Sequence, residues 1–155
     1  MLVGMRGDTL PHTFSKICVH VIFSTKDRHK IITKELQPRL WAYLAGIAKS
    51  HDINMLAIGG TEDHVHLLFH LPPKLPLAKA VLLLKANSSK WVGEATEFSW
   101  QEGYGAFSVS ASNLDSVIRY VRNQEKHHRK FTLEEELRAI LTRQGINYDA
   151  LDLLG

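Results

Sequence analysis

The run Asp63-His64-Val65-His66-Leu67-Leu68-Phe69-His70 holds residue types and spacing that can do chemistry. In a strand, alternate residues share a face, so His64 and His66 point one way while Val65, Leu67 and Phe69 point into the opposite layer. Two imidazoles two residues apart on a rigid strand can both reach one metal ion. A pair of strand histidines without any ligand is also an ordinary arrangement, so this pair alone decides nothing. His70 faces the same way as His66 and either influences the site or caps the strand. A second segment starts at Asn113, where Leu114, Val117, Ile118 and Val121 follow helical spacing as a buried stripe. Tyr120 and Gln124 are one turn apart on the flank of that stripe, and His127 continues the row. Such a helix laid along a sheet presents a phenol and an amide oxygen at the edge of a site, although a tyrosine at a core rim has the same pattern.

These two segments need a scaffold to bring them together. Phe14 to Ser24 reads as a strand with Ile17, Val19, Val21 and Phe23 on one face and Cys18, His20 and Ile22 on the other. Both faces are largely apolar, as in a central strand. Thr33 opens a helix whose buried stripe is Leu36, Leu40, Tyr43, Leu44 and Ile47. Ile53–Ile58 and Asp63–Leu71, separated by Gly59-Gly60-Thr61, read as a hairpin, and Pro72-Pro73 ends its second strand. A helix is expected from about Pro76 to Gly93, with Leu77, Val81, Leu84 and Trp91 on its inner face. A strand follows over Ala106–Ser110, then a helix from Asn113 to about Arg129. Thr132 and Glu135 form a capping box for a last helix that buries Leu133, Leu137, Ile140 and Leu141. The order is βαββαβ followed by two helices. That predicts an α+β fold, a ferredoxin-like antiparallel sheet with helices on it and a C-terminal helical extension. Residues 1–13 read as a loose lead-in, and residues 14–155 as a single domain.

Composition sets the outer bounds. The chain has 155 residues, 45% hydrophobic and 23% charged, which suits a globular domain rather than a disordered one. Nineteen Lys and Arg against sixteen Asp and Glu give a net charge of +3, compatible with a polyanionic partner without demanding one. The one cysteine, Cys18, excludes an internal disulfide and reads as a small buried hydrophobe. No stretch reaches the roughly 20 apolar residues of a membrane span, and no apolar signal core stands near the start, so a cytoplasmic location is expected.

Taken together, Asp63-His64-Val65-His66-Leu67-Leu68 before Pro72-Pro73, and Tyr120-Val121-Arg122-Asn123-Gln124, resemble the single-tyrosine HUH transposases of bacterial insertion sequences. HUH denotes His, hydrophobic, His. The likeness continues through Val19–Arg28, Gly103–Ser110 and Asn123–Lys130, and it runs from Phe14 to about Tyr148. It implies that Tyr120 is the nucleophile, that His64 and His66 are metal ligands, and that Gln124 is the third protein ligand. It also implies a single-stranded DNA substrate with hairpin ends, cut and rejoined through a 5′-phosphotyrosine. His70 departs from the family pattern, which more often has a small or apolar residue there.

The implied reaction explains why these residue types are needed. A phenol has a pKa of about 10, so its oxygen attacks phosphorus only with a proton acceptor or strong electrostatic help. A divalent metal on the phosphate oxygens supplies that help. Two imidazoles and an amide oxygen carry no charge of their own, which suits a site that must accept phosphate. Mg²⁺ or Mn²⁺ is expected, with Mn²⁺ the better match to imidazole. A closed zinc site is not expected, because no second cysteine or tight four-ligand cluster is visible. Asp63 and Glu62 are either outer partners of the ligands or solvated turn carboxylates. Lys85, Arg119, Arg122, Lys126, Arg129 and Lys130 offer a basic track for DNA phosphates, and Trp91, Trp100 and Tyr104 could stack on bases.

A homodimer is expected, because joining two ends takes two tyrosines; the resemblance suggests that the Tyr120 helix serves the partner's site, with Ser110–Asn113 as its hinge. Two other readings use the same residues. One is a non-catalytic single-stranded nucleic-acid-binding module, which the lack of outward strand aromatics disfavours. The other is a domesticated HUH nuclease acting at palindromic repeats.

Overall fold

The computed structural model describes residues 13–149 and Leu153, so all but Thr13 of the expected lead-in lies outside the described residues. Strands β1 (Cys18–Ser24), β2 (Asn54–Gly60), β3 (His64–His70) and β4 (Gly105–Val109) form one four-stranded sheet in the order β2-β3-β1-β4. Every neighbouring pair is antiparallel. Helices α1 (Leu36–Ser50) and α2 (Leu77–Gly93) are the two crossovers. This is the expected ferredoxin-like arrangement.

The two faces of the sheet have different occupants. Val19, Val21 and Phe23 of β1 and Val65, Leu67 and Phe69 of β3 face α1 and α2, where Leu40, Leu44, Ile47, Val81 and Leu84 close the main core. Trp100 belongs to this core: its indole N–H donates to Ser88 Oγ at 2.9 Å, and its ring meets Phe23 edge-on. Trp91 stacks on Tyr43. Neither indole is therefore presented to bases, whereas Tyr104 is exposed. The opposite face carries His20, Ile22, His64, His66 and Leu68. It is covered by α3 (Leu114–Arg122), α4 (Gln124–His128) and α5 (Leu133–Arg143). Val121 packs with Leu68 and Ala57, while Ile140 packs with Ile22 and Phe107.

Three local readings are corrected. β1 begins at Cys18, and Ile17 is half exposed. Gly59 and Gly60 belong to β2, so the hairpin turns at Thr61-Glu62-Asp63. A Cβ on Gly59 would stand 1.8 Å from the Val121 carbonyl oxygen, so glycine is what lets the α3 backbone lie directly on the strand. The single helix expected over 113–129 is two helices, broken at Asn123 (φ −101°, ψ 26°), with a 3-10 turn at Ala111–Asn113 before them. The capping box forms as expected: Glu135 N–H donates to Thr132 Oγ1 at 3.1 Å, and Thr132 N–H to Glu135 Oε2 at 3.0 Å. It fixes where α5 starts, and hence which residue of its first turns faces the sheet. That residue is Glu136.

Candidate active site

His64 and His66 lie side by side on β3, as alternation requires, but not on an open face: both are completely buried beneath α3–α5. Each has its Nδ1 engaged on one side. His64 Nδ1–H donates to Asp63 Oδ1 at 2.7 Å, with Thr61 Oγ1 3.0 Å away. A carboxylate only accepts, so this contact fixes the Nδ1–H form and leaves the Nε2 lone pair free in the neutral ring. That Nε2 is buried and has no hydrogen-bond partner. Burial would raise the Asp63 carboxyl, but the His64 contact outweighs it and holds the pKa down. Glu62, by contrast, is exposed. His66 Nδ1 is 2.8 Å from Nε2 of His20, a buried residue on the neighbouring strand. Burial lowers the pKa of His20 to about 4 and that of His66 to about 3, so both rings are neutral at physiological pH.

Two further donors join from the C-terminal helices. His128 Nδ1–H donates to the Phe131 carbonyl at 2.8 Å, which again turns Nε2 inward. Glu136 is buried, and its Oε1 lies 2.9 Å from His66 Nε2, 3.2 Å from His128 Nε2 and 3.8 Å from His64 Nε2. The ligand atoms of these four residues all fall within 4.8 Å of one another, the spacing of groups around one metal ion. A tight four-donor cluster, one carboxylate included, therefore exists. Gln124, also buried, donates from Nε2 to the Tyr120 carbonyl at 3.1 Å, which turns its Oε1 toward His128 Nε2 at 3.0 Å. Burial would raise Glu136, yet its bonds to His128 and His66 hold the carboxyl far below the usual range.

Tyr120 reaches the same group from α3. Its hydroxyl donates to Glu136 Oε2, and His127 Nε2 stands 3.1 Å from that oxygen without hydrogen-bond geometry. Burial first, then the Glu136 carboxylate, push the phenol well above its ordinary pKa, with Gln124 and Arg143 acting the other way. The phenol is thus held neutral until positive charge arrives. Beside it opens a cleft of about 510 Å³ whose walls include Phe107, Ser110, Asn113, Tyr120 and Arg143.

The sequence-derived residues are thus placed unequally. His64, His66, Tyr120 and Gln124 meet at one point within the chain. His70 does not join them; its Nε2 contacts the Ser15 carbonyl at 3.1 Å and ties down the strand end. Arg119, Arg122, Lys126, Arg129 and Lys130 are exposed on and after α3. Lys85 is engaged elsewhere: its ammonium donates to the carbonyls of Gln101 at 2.6 Å and Gly103 at 2.8 Å, over the Phe23 ring. His20, His128 and Glu136 were not singled out from sequence. Glu136 had a signal, since it falls three residues after Leu133 and four before Ile140, on the apolar stripe itself.

Residues 13–124 match the family model described as "Transposase IS200 like". The chain belongs to the IS200-like transposase family. It is 25% identical over 118 residues to the ISDra2 transposase TnpA of Deinococcus radiodurans, covering 68% of this chain and 81% of that protein. It is also 25% identical over 126 residues to the transposase of insertion sequence element IS200 from Salmonella typhimurium, covering 75% and 82%. A crystal structure assigned as a transposase from Deinococcus radiodurans superposes with a TM-score of 0.62 at 25% identity, over 76% of this chain and 97% of that one. A REP-associated tyrosine transposase bound to a REP hairpin shares the fold, with a TM-score of 0.56 at 11% identity over 74% and 70%. Among the described residues no helix is long and apolar enough to cross a membrane.

Proposed function

We propose that this transposase cuts and rejoins single-stranded DNA at the hairpin ends of an insertion sequence through Tyr120, with a divalent metal, Mg²⁺ or Mn²⁺, held by His64, His66 and Gln124. The observation that carries this reading is the convergence of Tyr120 with the inward-facing, unpartnered Nε2 of His64 in one buried cluster. A buried lone pair facing other acceptor atoms calls for a cation between them.

The steps follow from the chain's own groups. The cleft beside Tyr120 takes the nucleotide bearing the scissile phosphate, with Arg143 on its wall facing the phosphate charge. The exposed arginines and lysines of α3 and α4 run outward from that cleft as the phosphate track. The Tyr120 oxygen bonds to phosphorus, and the bond from phosphorus to the 3′-oxygen breaks. The phenolic proton is lost to water in the cleft as the positive charge of the bound metal lowers the phenol's pKa, with Glu136 Oε2 orienting the hydroxyl, and the leaving 3′-oxygen takes a proton from solvent. A 5′-phosphotyrosine remains. A DNA 3′-hydroxyl later attacks it, releasing Tyr120, so the bond is conserved without ATP. When bound, the metal supplies Lewis-acid stabilisation of the phosphate charge. Two chains, each with its own site, would act as a homodimer on two ends.

Incubation of the protein with Mn²⁺ and a hairpin-bearing single-stranded oligonucleotide, followed by denaturing electrophoresis, tests the reading. A covalent adduct that requires metal and disappears in Tyr120→Phe is the expected result. Binding without any adduct would favour the non-catalytic module instead. Cleavage at chromosomal palindromes but not at element ends would favour the domesticated nuclease.

A further inference from the structure

The geometry points to a metal centre completed by His128 and Glu136, two donors from beyond the part of the chain that matches the family model. The inference rests on the proposed transposase reading and specifies its ligand set. The matched region stops at Gln124, whereas His128 ends α4 and Glu136 lies in the first turns of α5.

Donor and acceptor roles carry it. His64 Nδ1 faces a carboxylate and His128 Nδ1 faces a carbonyl, and both of those oxygens only accept. Each ring therefore presents Nε2 toward the interior, where Glu136 Oε1 and Gln124 Oε1 also accept. For His66, the His20 contact permits the same form, with His66 Nδ1–H donating to His20 Nε2. With each ring in its neutral Nδ1–H form, three imidazole nitrogens and a carboxylate oxygen surround one point as acceptors, and a cation there displaces the Nε2 protons that link His66 and His128 to Glu136 in the metal-free chain. A divalent cation satisfies all of them at once, and the carboxylate offsets half of its charge. Three imidazoles and one carboxylate favour Mn²⁺ or Zn²⁺ over Mg²⁺, which prefers oxygen donors and retains its waters. Gln124, whose Oε1 faces His128 Nε2, is then the most replaceable of the donors, and it also holds α3 to α4. The second carboxylate oxygen stays on Tyr120, so one side chain couples metal and nucleophile.

Titration calorimetry with Mn²⁺ on the full chain, metal-stripped beforehand, tests this without DNA. Glu136→Gln and His128→Ala should each weaken Mn²⁺ binding at least about tenfold, the smaller loss typical of removing merely an outer partner of a ligand. Gln124→Ala should weaken it less than either. Melting curves of the metal-free variants, with His128→Gln in place of His128→Ala if the latter does not fold, separate ligation from folding. In addition, Co²⁺ loaded into the wild type should give the intense visible absorption of a four-coordinate site, reduced in Glu136→Gln. Wild-type Mn²⁺ affinity in folded Glu136→Gln and His128 variants would overturn the ligand set, as would a wild-type chain that binds no divalent metal. The Tyr120 adduct assay reports separately. An adduct alongside unchanged variant affinities sinks only the four-donor centre, while tight metal binding with no adduct sinks only the transposase chemistry.

Discussion

Replacing Gly59 by alanine should disable the nucleophile without touching any residue of the cluster. The new Cβ would sit 1.8 Å from the Val121 carbonyl oxygen and 2.8 Å from its carbonyl carbon, both backbone atoms that no rotamer change can move. Real contacts of this kind do not fall below 3.0 Å, so α3 must lift from the strand by more than an ångström. Tyr120 precedes Val121 and moves with it. A misplacement of about 1 Å at a reacting group costs on the order of a hundredfold in rate. Overpacking at a well-packed contact typically costs about 1–3 kcal/mol of stability, so the protein should still fold. The assay is the rate of covalent adduct formation, read beside a melting curve. Gly46→Ala is the control, because Gly46 has nothing within 4 Å of its Cβ position and lies inside α1, where alanine is favoured by about 1 kcal/mol. It should keep the wild-type rate and melt no lower. A folded Gly59→Ala that forms adduct at the wild-type rate would refute the idea that close α3–β2 contact sets the position of Tyr120.

Other expectations follow from the same contacts. Tyr120→Phe should retain oligonucleotide binding in a gel-shift assay and form no adduct, because only the hydroxyl is lost; a surviving adduct would move the nucleophile elsewhere. His64→Ala and His66→Ala should abolish metal-dependent cleavage. Because both rings are fully buried, they should also lower the metal-free melting temperature, by roughly 2–4 °C per kcal/mol lost; unchanged melting would contradict their burial. His20→Leu leaves the His66 Nδ1–H without an acceptor and should weaken Mn²⁺ binding about 10- to 100-fold, whereas His20→Gln, whose amide oxygen can accept, should restore much of it; equal affinities would dismiss His20 as a positioning residue. Light scattering should give twice the chain mass if the homodimer forms, and a strict monomer would argue against paired sites.

Where a pattern had one physical cause, the sequence was enough to read it. The alternation of Val65, Leu67 and Phe69 against His64 and His66 assigned each residue to its face correctly, because a strand allows no other arrangement. Thr132 and Glu135 located the start of α5 for a similarly local reason. What escaped depends on the third layer. That three helices cover the histidine face was not legible, because they pack by long-range contacts such as Val121 on Leu68 and Ile140 on Ile22. The break at Asn123 involves no proline or glycine, so no local signal marks it. Glu136 was passed over because a glutamate beside two others in the first turn of a helix ordinarily caps the dipole in water. Its place on the Leu133–Ile140 stripe distinguishes it from Glu134, which instead pairs with Arg138 on the surface.

The division between the two faces of the sheet explains how so small a chain holds a reactive centre. Burying polar groups costs free energy unless every one is paired, so a site of three imidazoles and a carboxylate cannot share a layer with the main apolar core. Here the main apolar core lies between the sheet and α1 and α2, on the face opposite the polar cluster. The second face is sealed by small apolar contacts at its margins, Val121 at one and Ile140 at the other, with the polar cluster between them. Each cluster member is also braced from outside: His64 by Asp63, His66 by His20, His128 by the Phe131 carbonyl. Such bracing would hold the proposed ligands in place before any cation arrives and reduce the reorganisation that binding metal and phosphate requires. Tyr120, partly buried, stands between the cluster and the cleft. That is the position the proposed nucleophile needs to reach a phosphate in the cleft.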